Sequence, residues 1–242
     1  MNNLTLICGT PVHIDWLVGF NQSLLLGDNL KELVKYTDLI FYINNSHDSE
    51  DLCASAGDKG HTFFNQIDSM RNLGVNVKIV YNPSGGYESA AYQYIKDHCT
   101  QYKYALFLPC SVEIHDAGFW KLCFDNEEEY FLDRTRNAYM YKLLVSTIAE
   151  FSWPKVSNKQ ETCQLEGKLK GYFQLWHGPM NHETNDQRWE IKNLFFGIKY
   201  ETLHNQEKYG RLNLINKNKY ISKYRGCWSK ETFLTYLDTK WA

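Results

Sequence analysis

The chain has 242 residues, 43% hydrophobic and 15% aromatic, which is enough to bury a sizeable core and excludes a disordered polypeptide. Its formal net charge of −2 excludes a global attraction to nucleic acid or to an anionic membrane surface. Seven cysteines without a Cys-x-x-Cys pair argue against a disulfide framework and a zinc site, and for a reducing compartment. No apolar run reaches the length of a spanning helix, and Met1-Asn2-Asn3-Leu4-Thr5 lacks the basic and long apolar regions of a secretion signal. The expectation is a cytoplasmic protein with no integral membrane segment, in which Asn21-Gln22-Ser23 is a chance match to a glycan site.

In chain order, residues 4–8 make a short apolar strand closed by Gly9-Thr10-Pro11. Trp16, Leu17, Phe20, Leu24 and Leu25 follow at helical spacing, then a second helical piece at Leu30, Leu33 and Val34. Leu39-Ile40-Phe41-Tyr42-Ile43 is a buried strand ending in Asn44-Asn45-Ser46-His47-Asp48. Phe63, Phe64, Ile67, Met70 and Leu73 define an amphipathic helix, with Gly74 as its C-terminal cap.

The stretch 75–114 organises the rest. Val75, Val77, Ile79 and Tyr81 alternate as in a strand with one buried face, and Asn82-Pro83-Ser84-Gly85-Gly86 breaks it. Tyr87, Ala90, Ala91, Tyr94, Ile95 and His98 recur at helical spacing. Tyr104-Ala105-Leu106-Phe107-Leu108 is then a continuous apolar strand of the kind that fills a parallel sheet. Four strands alternating with helices predict an α/β fold, and ligands of such sheets bind at the carboxyl ends of the strands. Residues 82–87 and 109–113 are therefore the places to look.

The second half is less regular. A short helix is expected at 119–124, a solvated turn at Asn126-Glu127-Glu128-Glu129, and a strand at Tyr130-Phe131-Leu132. Helix and strand are both open over 139–151. An excursion spans 153–167, a strand 172–176, a helix 186–196 and a final strand 198–203, with a closing helix capped by Ser229. Lys208, Arg211, Lys217, Lys219, Lys223 and Arg225 make a basic stretch whose default is a solvated surface. No linker marks a boundary, so 1–242 is expected to be a single domain, with one half at 1–114 and the other at 115–242.

Over roughly residues 4–205 the order and spacing resemble a glycosyltransferase of the GT-A fold, similar to the inverting family-two group. The residues that carry this are the strand-end turns Gly9-Thr10-Pro11-Val12 and Asn44-Asn45-Ser46, and the loop Asn82-Pro83-Ser84-Gly85-Gly86 leading to Ala90-Ala91. The frame from Asn185-Asp186 to Gly197-Ile198 completes the set. The resemblance implies a GT-A-like (Rossmann-type), mostly parallel sheet flanked by helices, with an irregular acceptor-side half. It implies a nucleotide-sugar donor held by Thr10, Pro11, Asn44, Asn45, Asn82, Gly85, Gly86, Tyr87, Pro109, Cys110 and Ser111. A glycan or other hydroxyl acceptor would meet Trp176, His177 and Glu183, with no nucleic acid partner. Asp186 falls on the family's catalytic base position, with Glu183 and Glu190 as alternatives.

The chief departure is the family's Asp-x-Asp element, which grips a divalent cation, manganese or magnesium. Phe107-Leu108-Pro109-Cys110-Ser111-Val112-Glu113 stands in its place without aspartates. Ser111, Glu113 and His204 are the candidates for a metal ligand, while His177 and His182 beside Glu183 fit an unliganded loop better. Two other readings stay open: a catalytically inactive nucleotide- or sugar-binding relative, and another nucleotide-using α/β transferase. Asp186 also fits an ordinary helix-start carboxylate set against the macrodipole.

Overall fold

A computed structural model describes residues 3–84, 86–125, 127, 130–131, 141–150, 153, 201–205, 213–217 and 220–225. At 87, 130–131, 141, 201–205, 213–217 and 222–225 the description is of the backbone alone. The elements in chain order are β1 (Asn3–Gly9), α1 (Ile14–Leu25), α2 (Asn29–Tyr36), β2 (Asp38–Asn44), α3 (Ser49–Ala56), α4 (Asp58–Asn72), β3 (Val77–Asn82), α5 (Tyr87–His98) and β4 (Tyr104–Pro109). There follow β5 (Val112–Ile114), α6 (Gly118–Phe124), β6 (Tyr130–Phe131), β7 (Tyr141–Leu144), α7 (Val145–Glu150), β8 (Glu201–Asn205), β9 (Asn213–Lys217) and β10 (Ile221–Arg225).

Strands β3, β2, β1 and β4 lie side by side in parallel, and β7 and then β6 continue the sheet antiparallel to their neighbours. The side chains of one strand alternate between two cores, because successive Cβ atoms point to opposite faces. Ile7, Leu39, Phe41, Ile43, Leu106 and Leu108 pack against α1, α2, α4 and α6 through Phe20, Leu33, Phe63 and Trp120. Leu4, Leu6, Ile40, Tyr42, Ala105 and Phe107 face the other way, onto α5 and α7 through Ala91, Tyr92, Ile95 and Ile148. This is an α/β fold with a mostly parallel sheet and helices on both faces, in keeping with the GT-A-like, Rossmann-type expectation.

Several elements differ from the sequence expectation. The strand β3 is covered on both faces rather than one: Ile79 and Tyr81 touch the first core and Val80 the second. A sheet sandwiched between helix layers gives alternation little meaning. The helix α3 was not expected, since its one buried side chain is Leu52. Its start is set by Asp48, whose carboxylate accepts the backbone N–H of Asp51 at 2.9 Å. The ambiguous stretch 139–151 is both things in turn, strand β7 and then helix α7.

The strand expected over 198–203 is β8, and it is not the last one. Two more follow within the basic stretch, and β8, β9 and β10 form an antiparallel sheet closed by β5 in the order β5-β10-β9-β8. Lys and Arg hid these strands, because their partner β5 lies far back in the chain and no local pattern announces it. Backbone bonds from His115 N to Tyr220 O (2.7 Å) and Asp116 N to Tyr220 O (3.3 Å) extend that pairing. The buried amide of Asn29 joins this sheet to α1, donating to Ser23 O (2.8 Å) and Ile114 O (3.0 Å). Residues 172–196, 198–200 and 229 onward lie outside the described residues, as do the elements expected there.

Candidate functional site

The register of the four parallel strands aligns their carboxyl ends. Cys8 pairs with Tyr42 on one side and Pro109 on the other, and Asn44 pairs with Asn82. The turns that follow therefore line one edge of the sheet in the order 82–84, 44–46, 10–11 and 110–111. Between β1 and β4 the strand order reverses, since β2 and β3 build outward on the other side of β1. Such a switch point opens a crevice at the carboxyl edge.

The edge is wired by side-chain amides. The Ser84 hydroxyl and backbone N–H donate to Asn82 Oδ1 at 2.8 and 3.3 Å. Asn82 Nδ2 donates to Asn44 Oδ1 at 2.8 Å, and Asn44 Nδ2 donates to Cys8 Sγ at 3.2 Å. Asn45 holds a left-handed φ of 58° that asparagine tolerates better than most residues, and its N–H reaches Asn82 O at 2.7 Å. Asn44 is 1% exposed, so its amide is committed to this chain of bonds. Asn44→Ala removes the acceptor that Asn82 Nδ2 uses and opens a void. It should lower stability by about 1–3 kcal/mol, read as a fall in the urea midpoint.

Thr10, Cys110 and Ser111 are buried at the other end of the edge, with Pro11 and Pro109 half-buried. Thr10 Oγ1 and His13 Nδ1 lie 3.2 Å apart at the short 3₁₀ turn Pro11–His13 that precedes α1. Gly86 takes φ 104°, a left-handed value that favours glycine, and its C=O accepts the Ala90 N–H at 3.3 Å. That turn starts α5 on the sheet face carrying Cys8, Asn44 and Asn82.

Sequence reasoning passed over one group here, Glu88, which stands near Cys8, a thiol that the sequence marks as a small apolar group beside a buried strand. Glu88 sits in the first turn of α5, and Tyr92, Ile95 and Cys99 follow it at i+4, i+7 and i+11, each buried against the sheet. The spacing sets Glu88 on the stripe that faces the strands. Its Oε2 is buried and has no hydrogen-bond partner. Burial first, then the Glu88 charge and the Cys110 thiol, push the Cys8 thiol well above its ordinary range, against the opposing hydrogen bond from Asn44. Cys8 is thus a neutral thiol rather than a nucleophile. Tyr42, on the same face, is pushed up to about 12, chiefly by burial and then by Cys8 and Tyr94. The signal for Glu88 was present in the sequence as the line 88, 92, 95, 99.

A hard divalent cation takes oxygen ligands, in magnesium sites one or two carboxylates together with substrate phosphates and water. Pro109 and Cys110 offer no side-chain oxygen, and among the described residues no group of three or more His, Cys, Asp or Glu is placed to hold a metal ion. Of the candidate ligands, Ser111 is buried at the tip of β4 and Glu113 lies in β5. His204 lies in β8, at the opposite margin of the four-stranded sheet from β5. Three inter-strand spacings, about 14 Å, separate those two strands. Tyr87 opens α5, with only its backbone described. Gly85, Trp176, His177, Glu183, Asp186 and Glu190 lie outside the described residues.

Among the described residues no helix is long and apolar enough to cross a membrane. No family profile matches the chain, and no curated protein matches it. Among solved structures it is similar to the crystal structure of S. aureus TarS 1–349, with 13% identity and a TM-score of 0.32, over 49% of this chain and 30% of that chain. A likeness of that size carries no argument about what this protein does.

Proposed function

We propose that the protein is a GT-A-like glycosyltransferase that moves a sugar from a nucleoside-diphosphate donor to a hydroxyl acceptor. The observation that supports this reading is the single edge along which four parallel strands end. The turns 10–11, 44–46, 82–84 and 110–111 succeed one another there, flanking the switch point between β1 and β4. In this reading those turns hold the nucleotide and its sugar. Asp186 takes the proton from the acceptor hydroxyl as its oxygen attacks the anomeric carbon, and the nucleoside diphosphate leaves from the opposite side, inverting the centre. The described residues form no cation cage, and in this reading the leaving charge falls to N–H donors, among them the first backbone groups of a helix, and to basic side chains. Trp176, His177 and Glu183 serve the acceptor.

A thermal-shift panel of UDP-, GDP-, CMP- and dTDP-sugars, each with manganese or with a chelator, tests the reading. A donor at about 100-fold over its dissociation constant adds roughly 2.7 kcal/mol to stability. The expected result is one donor class that stabilises the protein and still does so in chelator. If no member of the panel shifts the melting point, the reading is overturned. Stabilisation without transfer to any hydroxyl acceptor points instead to a nucleotide-sugar-binding protein that has lost its chemistry.

A further inference from the structure

Glu88 differs from the wired amides, hydroxyl and thiol of the carboxyl edge. Asn82, Asn44, Ser84 and Cys8 bond to one another, whereas the buried Oε2 of Glu88 has no partner. It is aimed at the strand ends, because it opens the stripe continued by Tyr92, Ile95 and Cys99 against the sheet. An ordinary helix-start carboxylate would turn to water and meet the macrodipole there. A buried carboxylate oxygen without a donor is strongly unfavourable, and buried groups of this kind are completed by a ligand or by a water that a ligand replaces.

The chemistry of the edge narrows what the donor is. A phosphate would meet a like charge. A cation would need further ligands, and no cluster of three such groups lies among the described residues. A neutral hydroxyl satisfies the oxygen without taking a second charge out of water. Two adjacent hydroxyls satisfy both carboxylate oxygens. We propose that Glu88 receives a vicinal hydroxyl pair of the nucleotide-sugar donor, from the ribose or from the transferred sugar, beneath the first turn of α5. The assignment rests on the glycosyltransferase reading and adds to it a specificity-determining residue that no strand-end turn supplies.

The test measures binding of UDP, GDP and CDP against their 2′-deoxy counterparts by calorimetry, in chelator. A second arm measures UDP-glucose and GDP-mannose against UDP and GDP. Wild-type and the isosteric Glu88→Gln protein are compared in both arms, with Glu88→Ala as a second variant and a melting curve for each. A charge-assisted hydrogen bond lost on Glu88→Gln should show as roughly a ten- to hundredfold change. If the ribose is the source, wild-type prefers the ribonucleotide by that factor and Glu88→Gln loses the preference. If the sugar is the source, Glu88→Gln loses the affinity that the sugar adds. If a nucleotide binds and Glu88→Gln alters neither ratio, the role of Glu88 is overturned while the transferase reading stands. If no nucleotide or nucleotide sugar binds wild-type protein, both are overturned.

Discussion

Asp186→Asn should slow sugar transfer on the order of 10²–10⁴-fold while leaving donor binding and the melting temperature close to wild-type. The substitution keeps the size and shape of the side chain and removes only its capacity to take a proton. A group acting in the transition state alone lowers kcat and kcat/KM together, and that pattern separates a base from a residue that merely holds substrate. The motif behind the assignment is the frame that opens at Asn185-Asp186 and closes at Gly197-Ile198. Glu183→Gln and Glu190→Gln are the comparison variants, because each offers a carboxylate close by in sequence. Transfer near the wild-type rate in folded Asp186→Asn would remove Asp186 from the chemistry, and a collapse in Glu190→Gln instead would move the base by four positions.

The largest loss of stability is expected at Phe41→Ala. Phe41 is 0% exposed and sits in β2, flanked by β1 and β3. Its ring meets Phe63 of α4 edge-on at 5.3 Å and Phe20 of α1 at 6.2 Å, so one side chain anchors two helices to the sheet. Truncation removes buried apolar area, leaves a cavity and breaks two favourable ring pairs, together about 3–5 kcal/mol. Urea unfolding should report it as a midpoint lowered by roughly 1–2 M at unchanged slope. Phe41→Leu, which refills most of the volume, should recover more than half of the loss. A fall of less than about 1 kcal/mol for the alanine variant would show that these rings do not carry the packing between sheet and helices.

The parallel half of the fold was legible because each of its elements declares itself locally. Runs such as 39–43 and 104–108 are long enough and apolar enough to be buried strands, and α1, α4 and α5 keep helical spacing over three turns or more. What escaped was held together by distant or polar partners. The strands β9 and β10 find theirs in one another and in β5, with Lys223 set opposite Val112. The helix α3 is held at its start by one aspartate cap. Part of the candidate site was legible in the same way, since turns rich in Asn, Gly, Ser and Pro at strand ends mark the carboxyl edge. Glu88 shares the line of Tyr92, Ile95 and Cys99, but a charged residue in the first turn of a helix is ordinarily a surface residue, which masked that signal.

The three residues of β5 begin just past the tip of β4, and their pairing partner is β10, which comes long after it in the chain. On the ribosome, the parallel half can therefore condense while β5 still lacks its neighbour. Val112 and Ile114, both buried in the finished protein, stay without Ile221 over them until β10 has been synthesised. The rim of the crevice nearest Ser111 is thus completed late, by a strand that lies far along the polypeptide from it. A chain released early would carry its parallel strands already in register beside an open, adhesive margin.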